Sequence, residues 1–114
     1  MSALDTNGHM HNQLVQQFVA AARLDATNMD PDVQVALGLL FNMSSEYAKA
    51  TDCFAAALQG RPDDYALWNR LGACQSKSGR DEESIGSYHR ALSINPAFVR
   101  ARVNLGLRCA FLLT

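Results

Sequence analysis

Between Leu67 and Lys77 the chain reads Leu-Trp-Asn-Arg-Leu-Gly-Ala-Cys-Gln-Ser-Lys. Its polar residues have the types and spacing that could hold a peptide. On a helix Asn69, Ala73 and Lys77 fall four apart on one stripe, with Arg70 beside them. Further along, Arg100 and Asn104 are also four apart. A carboxamide offers one acceptor and two donors, so an asparagine can pair with both the N–H and the C=O of an extended peptide, whatever its side chains. Arg70, Lys77 and Arg100 offer charge-assisted bonds to a carboxylate. Ala73 is small. Together these six residues suit the C-terminus of a peptide. The same types also populate solvated helix faces, and from spacing alone the two readings stand level. One helix earlier, Asp32, Leu39 and Asn42 take the corresponding places.

Catalytic chemistry finds less support. There is no Gly-x-Ser-x-Gly nucleophile elbow and no phosphate-cradling glycine loop. His89 follows Tyr88 on a helix and is expected at the surface. His9 and His11 lack the further ligands that a metal site needs. Asp63, Asp64, Asp81, Glu82 and Glu83 cluster where helices start, and capping accounts for them. The expectation is a protein that is not an enzyme and uses no cofactor or metal.

The chain has 114 residues, which fits one small domain. Its formal net charge of −1 supplies no field for nucleic acid. No apolar run is long enough to span a membrane. The first ten residues lack the basic start and apolar stretch of a secretory signal, and none is expected. They are polar and are expected to form a disordered tail. Cys53, Cys74 and Cys109 are far apart and odd in number, so they are expected as reduced thiols serving as small core residues. Asn42-Met43-Ser44 matches a glycosylation sequon and is read as chance.

These residues need a frame, and the sequence supplies it by repetition. Leu37-Gly38, Leu71-Gly72 and Leu105-Gly106 recur at one fixed spacing. Ala57-Leu58 matches Ala91-Leu92 at that offset, and Pro62 matches Pro96. A period of about 34 residues with Leu-Gly, a later Ala-x-x-x-Phe and a closing Pro is the tetratricopeptide pattern of stacked helix pairs. Ala50-x3-Phe54 and Ser84-x3-Tyr88 supply the second element. The fold class expected over residues 11–114 is therefore an all-α tetratricopeptide-repeat solenoid, with helices near 11–24, 31–44, 47–60, 65–78, 81–94 and 97–112. In the first of these, Leu14, Val15, Phe18 and Ala21 or Ala22 form the apolar face. Gly38, Gly72 and Gly106 let a neighbouring helix approach, Phe54 and Tyr88 fill the space between, and Trp68, Leu71 and Gln75 point into the packing. Asp30-Pro31 reads as an N-cap followed by proline in the first turn. Ser78-Gly79 breaks a helix.

Two repeats are complete and a third is a lone first helix. Leu105, Cys109, Leu112 and Leu113 would then face nothing, and each uncovered large side chain forgoes roughly 1.5–3 kcal/mol of burial. The chain is therefore expected to be part of a longer array, or to associate with itself through that end.

Several strings exceed the generic repeat. Asp30-Pro31-Asp32-Val33-Gln34, Leu37 to Phe41, Trp68 to Ala73, Tyr88 to Leu92 and Phe98 to Gly106 resemble the peroxisomal import receptor for type 1 targeting signals. The resemblance runs over about residues 12–109. It implies two clusters of tetratricopeptide repeats around a funnel, a receptor in the cytoplasm that cycles to the peroxisomal membrane, docking proteins there, and cargo ending in a Ser-Lys-Leu-like signal. On matching positions, Asn69 resembles an asparagine that bonds the signal backbone and Arg70 a cation near its carboxylate. Ala73 resembles a small residue leaving room, and Arg100 with Asn104 the pair that holds the carboxylate end. Lys77 and Phe111 stand where the family has asparagine. The rival readings are a scaffolding segment that no longer binds cargo and associates through its last helix, and a clamp for acidic chaperone tails, which would want more Lys and Arg on the groove.

Overall fold

The computed structural model describes Gln13, Leu14, Gln16, Gln17 and residues 30–113, with side chains as far as Cys109. The first four are helical, within the helix expected over 11–24, but Leu14, expected on its buried face, is exposed. The rest of that helix and the tail at 1–10 lie outside the described residues. From Pro31 onward five helices follow: α1 (Pro31–Met43), α2 (Tyr47–Gly60), α3 (Tyr65–Lys77), α4 (Asp81–Ile94) and α5 (Val99–Leu113). No strand occurs among the described residues. For these five helices the expected boundaries hold to within two residues.

Local chemistry sets these ends in the same way in successive repeats. Asp30 accepts a bond from the Asp32 N–H at 2.8 Å, with Pro31 in the first turn. Asp64 accepts one from the Leu67 N–H at 3.0 Å. Each satisfies a donor that the first turn of a helix leaves open. At the far ends the Ser44 hydroxyl donates to the Leu40 carbonyl at 3.1 Å and the Ser78 hydroxyl to the Cys74 carbonyl at 2.7 Å. The chain then reverses through a left-handed residue. In the second repeat this is Gly79, φ +82°, which suits glycine, but in the first it is Ser45, φ +62°. The Cβ of serine clashes there with the following carbonyl. Ser45→Gly should raise the unfolding free energy by about 0.5–1 kcal/mol. A denaturant midpoint unchanged or lowered by the substitution would contradict this.

The hairpins α1–α2 and α3–α4 close on the same contact. A Cβ on Gly38 would lie 2.7 Å from the Phe54 ring, and one on Gly72 would lie 2.8 Å from the Tyr88 ring. Ala50, Ala57 and Ala91 are fully buried, as is Ser84 in the place equivalent to Ala50. Leu37, Phe41, Phe54, Leu58, Leu67 and Leu71 form the core that joins one hairpin to the next. A further close approach, between Gly60 and the Pro31 ring, ties the end of α2 to the start of α1. Trp68 is only half-buried. Its Nε1–H donates to the Pro62 carbonyl at 2.9 Å, and the Arg90 guanidinium lies 5.8 Å from the ring centroid. One repeat later Arg102 Nε donates to the Pro96 carbonyl at 3.0 Å. The two prolines thus end a helix and also present a carbonyl to the next one.

The third copy departs from the other two. Among the described residues, nothing beyond its own helix backbone lies within 4 Å of where a Cβ on Gly106 would stand. Val99, Val103 and Leu107 are 68%, 53% and 60% exposed. Leu105 is half-buried, while the side chains of Leu112 and Leu113 lie outside the described residues.

The expectation that all three cysteines are core residues needs correction. Cys74 is buried, Cys53 is half-buried and Cys109 is exposed, because no second helix of the third repeat covers it among the described residues. Burial pushes the Cys53 thiol up to about 11, with the Asp52 charge adding to the shift. That leaves about a hundredfold less reactive thiolate than an ordinary cysteine has at neutral pH. Iodoacetamide should therefore modify Cys109 first, with Cys53 and Cys74 following only in denaturant. Peptide mapping by mass spectrometry reads the order, and early labelling of Cys53 would contradict the packing.

Candidate functional site

Helices α3 and α5 run alongside each other in the same direction, which two contacts fix. At their starts the Tyr65 and Phe98 rings meet edge to face with centroids 5.0 Å apart. One turn on, Asn104 Nδ2 donates to Asn69 Oδ1 at 3.1 Å. Between the helices lies an open groove of about 260 Å³. All six candidates, Asn69, Arg70, Ala73, Lys77, Arg100 and Asn104, line it. Phe54, buried beneath, and Cys74 contribute to its base, and Asn42 reaches it from α1.

The period explains this convergence. Arg100 stands one repeat after Ala66, and Asn104 one repeat after Arg70. Both pairs line the groove, so equivalent faces of the two helices meet. The first helix contributes less than expected. Asn42 is on the groove, but Asp32 is drawn into an ion pair with Arg61, and Leu39 packs against the core.

Asn69 is only 6% exposed. The bond from Asn104 occupies its carbonyl and orients both amides. The Nδ2 of Asn69 and the Oδ1 of Asn104 have no hydrogen-bond partner among the described residues. The pair therefore retains N–H donors on both amides and an acceptor at Asn104 Oδ1, so it can meet both the C=O and the N–H of a peptide backbone unit.

Lys49, Arg61, Arg80 and Arg108 each pair with a carboxylate. Five cations lack a carboxylate partner among the described residues: Arg70, Lys77 and Arg100 on the groove, and Arg90 and Arg102 away from it. No Asp or Glu among the described residues lines the groove. The Lys77 ammonium sits 5.3 Å from the Tyr47 ring centroid, an interaction that holds a cation without neutralising it. Cys74 donates weakly to Asn42 Oδ1 at 3.6 Å. Burial raises its pKa, while the Lys77 and Arg70 charges act the other way. Its burial disfavours the reactive thiolate. The residues read as a stripe of cations and amides all fall on this groove. That reading missed Phe54 and Cys74 at the base, because both carry the repeat's packing spacing and nothing in their type marks a groove. His89 is exposed on α4, as expected. No cluster of metal-binding side chains occurs among the described residues.

No protein-family model matches the chain. Over 102 residues, 88% of its length, it is 48% identical to the peroxisomal targeting signal receptor of Candida albicans. It is 53% identical to that of Yarrowia lipolytica, again over 102 residues and 88% of its length. With the peroxisomal targeting signal 1 receptor of Dictyostelium discoideum the identity is 53% over 87 residues, 76% of the chain. The chain is homologous to peroxisomal targeting signal receptors. It spans only 17%, 17% and 13% of those three relatives.

Solved structures agree on the fold. MamA superposes with a TM-score of 0.78 over 90% of this chain and 59% of its own, at 23% identity. The first TPR of Spaghetti (RPAP3), bound to the HSP90 peptide SRMEEVD, gives 0.78 over 96% of this chain and 85% of its own, at 16% identity. At such identities they speak to architecture alone, and that architecture is the all-α tetratricopeptide solenoid. No helix among the described residues is long and apolar enough to cross a membrane.

Proposed function

We propose that the chain is a peptide-binding segment of a peroxisomal matrix-protein import receptor, and that its groove takes the C-terminal targeting signal of cargo proteins. The observation that carries this is the joining of the Asn69–Asn104 amide pair with three cations that lack carboxylate partners among the described residues. The amides address the peptide backbone, and Arg70 and Arg100 address its terminal carboxylate. No step of chemistry is required, and the segment acts by binding alone. The site belongs to a receptor of the cytoplasm that cycles to the peroxisomal membrane and meets docking proteins there. The homology to named receptors supports that setting.

A labelled peptide ending in Ser-Lys-Leu and its C-terminal amide, each titrated into the 114-residue chain, test the reading by fluorescence anisotropy. The free acid should bind at millimolar concentration or tighter and the amide distinctly more weakly. No binding of either peptide would overturn the proposal, and equal binding would remove the carboxylate role of Arg70 and Arg100.

A second reading draws on Val99, Val103 and Leu107, three apolar residues exposed at four-residue spacing on α5. It makes the segment a scaffold that associates through α5. Light scattering over a range of concentrations should then show a dimer, and a clean monomer would reject it.

A further inference from the structure

The three cations in the groove do not stand together. Arg100 lies in the first turn of α5, close to where Phe98 meets Tyr65 at the start of α3. Arg70 lies on the second turn of α3, and Lys77 is its last residue. From Arg70 to Lys77 is seven residues of helix, about 10 Å at 1.5 Å per residue. An extended peptide covers about 3.3 Å per residue, so roughly three peptide residues separate the two cations. From the level of Ala66, beside Arg100, to Lys77 is about 16 Å, or about five peptide residues. With the Lys77 ammonium turned to the Tyr47 ring, Arg70 and Arg100 are the cations placed for the terminal carboxylate, and Lys77 stands further along the groove.

The groups at the two ends also differ. The Arg70–Arg100 end carries the Asn69–Asn104 pair and can grip both backbone and carboxylate. Beyond it comes Ala73, half-buried and small. At the far end Lys77 is exposed, has no carboxylate partner among the described residues, and is braced against the Tyr47 ring. Lys77 also lines an adjoining second pocket with Ser76, Asn104, Leu107 and Arg108, and the Arg108 guanidinium is engaged by Asp81 at 3.3 Å.

Resting on the reading of this groove as a site for a peptide C-terminus, we infer that Lys77 selects peptides with an acidic side chain three to five residues before the terminal carboxylate. The ligand class is thereby narrowed to doubly anionic C-terminal peptides, with one charge at each end of the groove. Lys77 is a specificity-determining residue for the side chain, while the terminal carboxylate belongs to Arg70 and Arg100. An exposed pair of this kind is worth about two- to fivefold in affinity and weakens as salt is added.

The test uses the 114-residue chain and peptides ending in Ser-Lys-Leu that carry Glu, Gln or Lys at the fourth, fifth or sixth residue from the end. Each peptide is made as free acid and as amide. The Glu peptide should bind about two- to fivefold tighter than the Gln peptide, with the difference shrinking in high salt. In Lys77→Met the ratio of the two affinities should fall to about one. In Lys77→Glu it should invert, with the Lys peptide now preferred over Gln, a reversal that a purely structural role for Lys77 would not produce. If Glu and Gln peptides bind alike while the amides still bind more weakly, the inference is wrong and the C-terminal site stands. If the Glu preference survives in Lys77→Met, another residue reads the acid and the inference is wrong. If no peptide binds, the reading of the groove fails and takes the inference with it.

Discussion

Phe54→Ala should destabilise the chain by about 3–5 kcal/mol, the largest effect of any single truncation considered. The ring is only 1% exposed. It lies over Gly38 on α1, faces the core that joins the two hairpins, and reaches the base of the groove. Small domains hold only about 5–15 kcal/mol in total, so the loss should shift the urea midpoint far. A double-mutant cycle gives a finer test. In the native background Gly38→Ala sets a Cβ 2.7 Å from the ring, and overpacking of this kind costs about 1–3 kcal/mol. In the Phe54→Ala background the ring is gone, and Gly38→Ala should stabilise by up to about 1 kcal/mol through helix propensity. A change of sign between the two backgrounds is the expected result. A Phe54→Ala loss below about 1 kcal/mol, outside the range for a large buried ring, would contradict the packing account. So would a Gly38→Ala cost that persisted without the ring.

Arg100→Glu should leave folding within about 0.5 kcal/mol of the parent, since the residue is exposed and surface changes are usually that small. Binding of a Ser-Lys-Leu free acid should fall about tenfold or more. A hydrogen bond to a charged group contributes about 1.5–3 kcal/mol, and the new carboxylate would also repel the ligand. The amide form of the peptide should lose much less. Such a split, unchanged unfolding with weakened capture of the free acid only, assigns Arg100 to the carboxylate. A loss under twofold for the free acid would remove Arg100 from the site.

The repeat made much of this fold legible. Leu37-Gly38 and Leu71-Gly72 with Phe54 and Tyr88 are packing partners, and their spacing carries the pairing of helices directly. The caps at Asp30 and Asp64 are local and could be read from residue type. Ser45 is marked only by standing one period before Gly79, since nothing in a serine itself announces a left-handed backbone. Gly60 against Pro31 was hidden, since it joins two distant positions that the repeat pattern does not link. Among the groove residues, those one period apart on first helices were predictable as neighbours. Asn42 came through as a position on the first helix, whereas Asp32 was captured by Arg61, a long-range ion pair with no periodic signature. Cys109 is exposed as the lone third helix implied, against its other reading as a core thiol, because no helix covers it among the described residues. The bond between Asn69 and Asn104 depends on how closely α3 and α5 approach, which only the assembled stack defines.

If the Asn69–Asn104 pair and the cations beside it receive a peptide C-terminus, those side chains must sense the ligand directly. The most direct measurement is a ¹⁵N-correlated NMR titration of the chain with the Ser-Lys-Leu free acid, following the side-chain amides of Asn69 and Asn104. Both should shift in step with peptide concentration, with Arg70 and Arg100 responding and His89 on the far helix unmoved. Shifts confined to other surfaces, or none at either asparagine while the peptide binds, would contradict it.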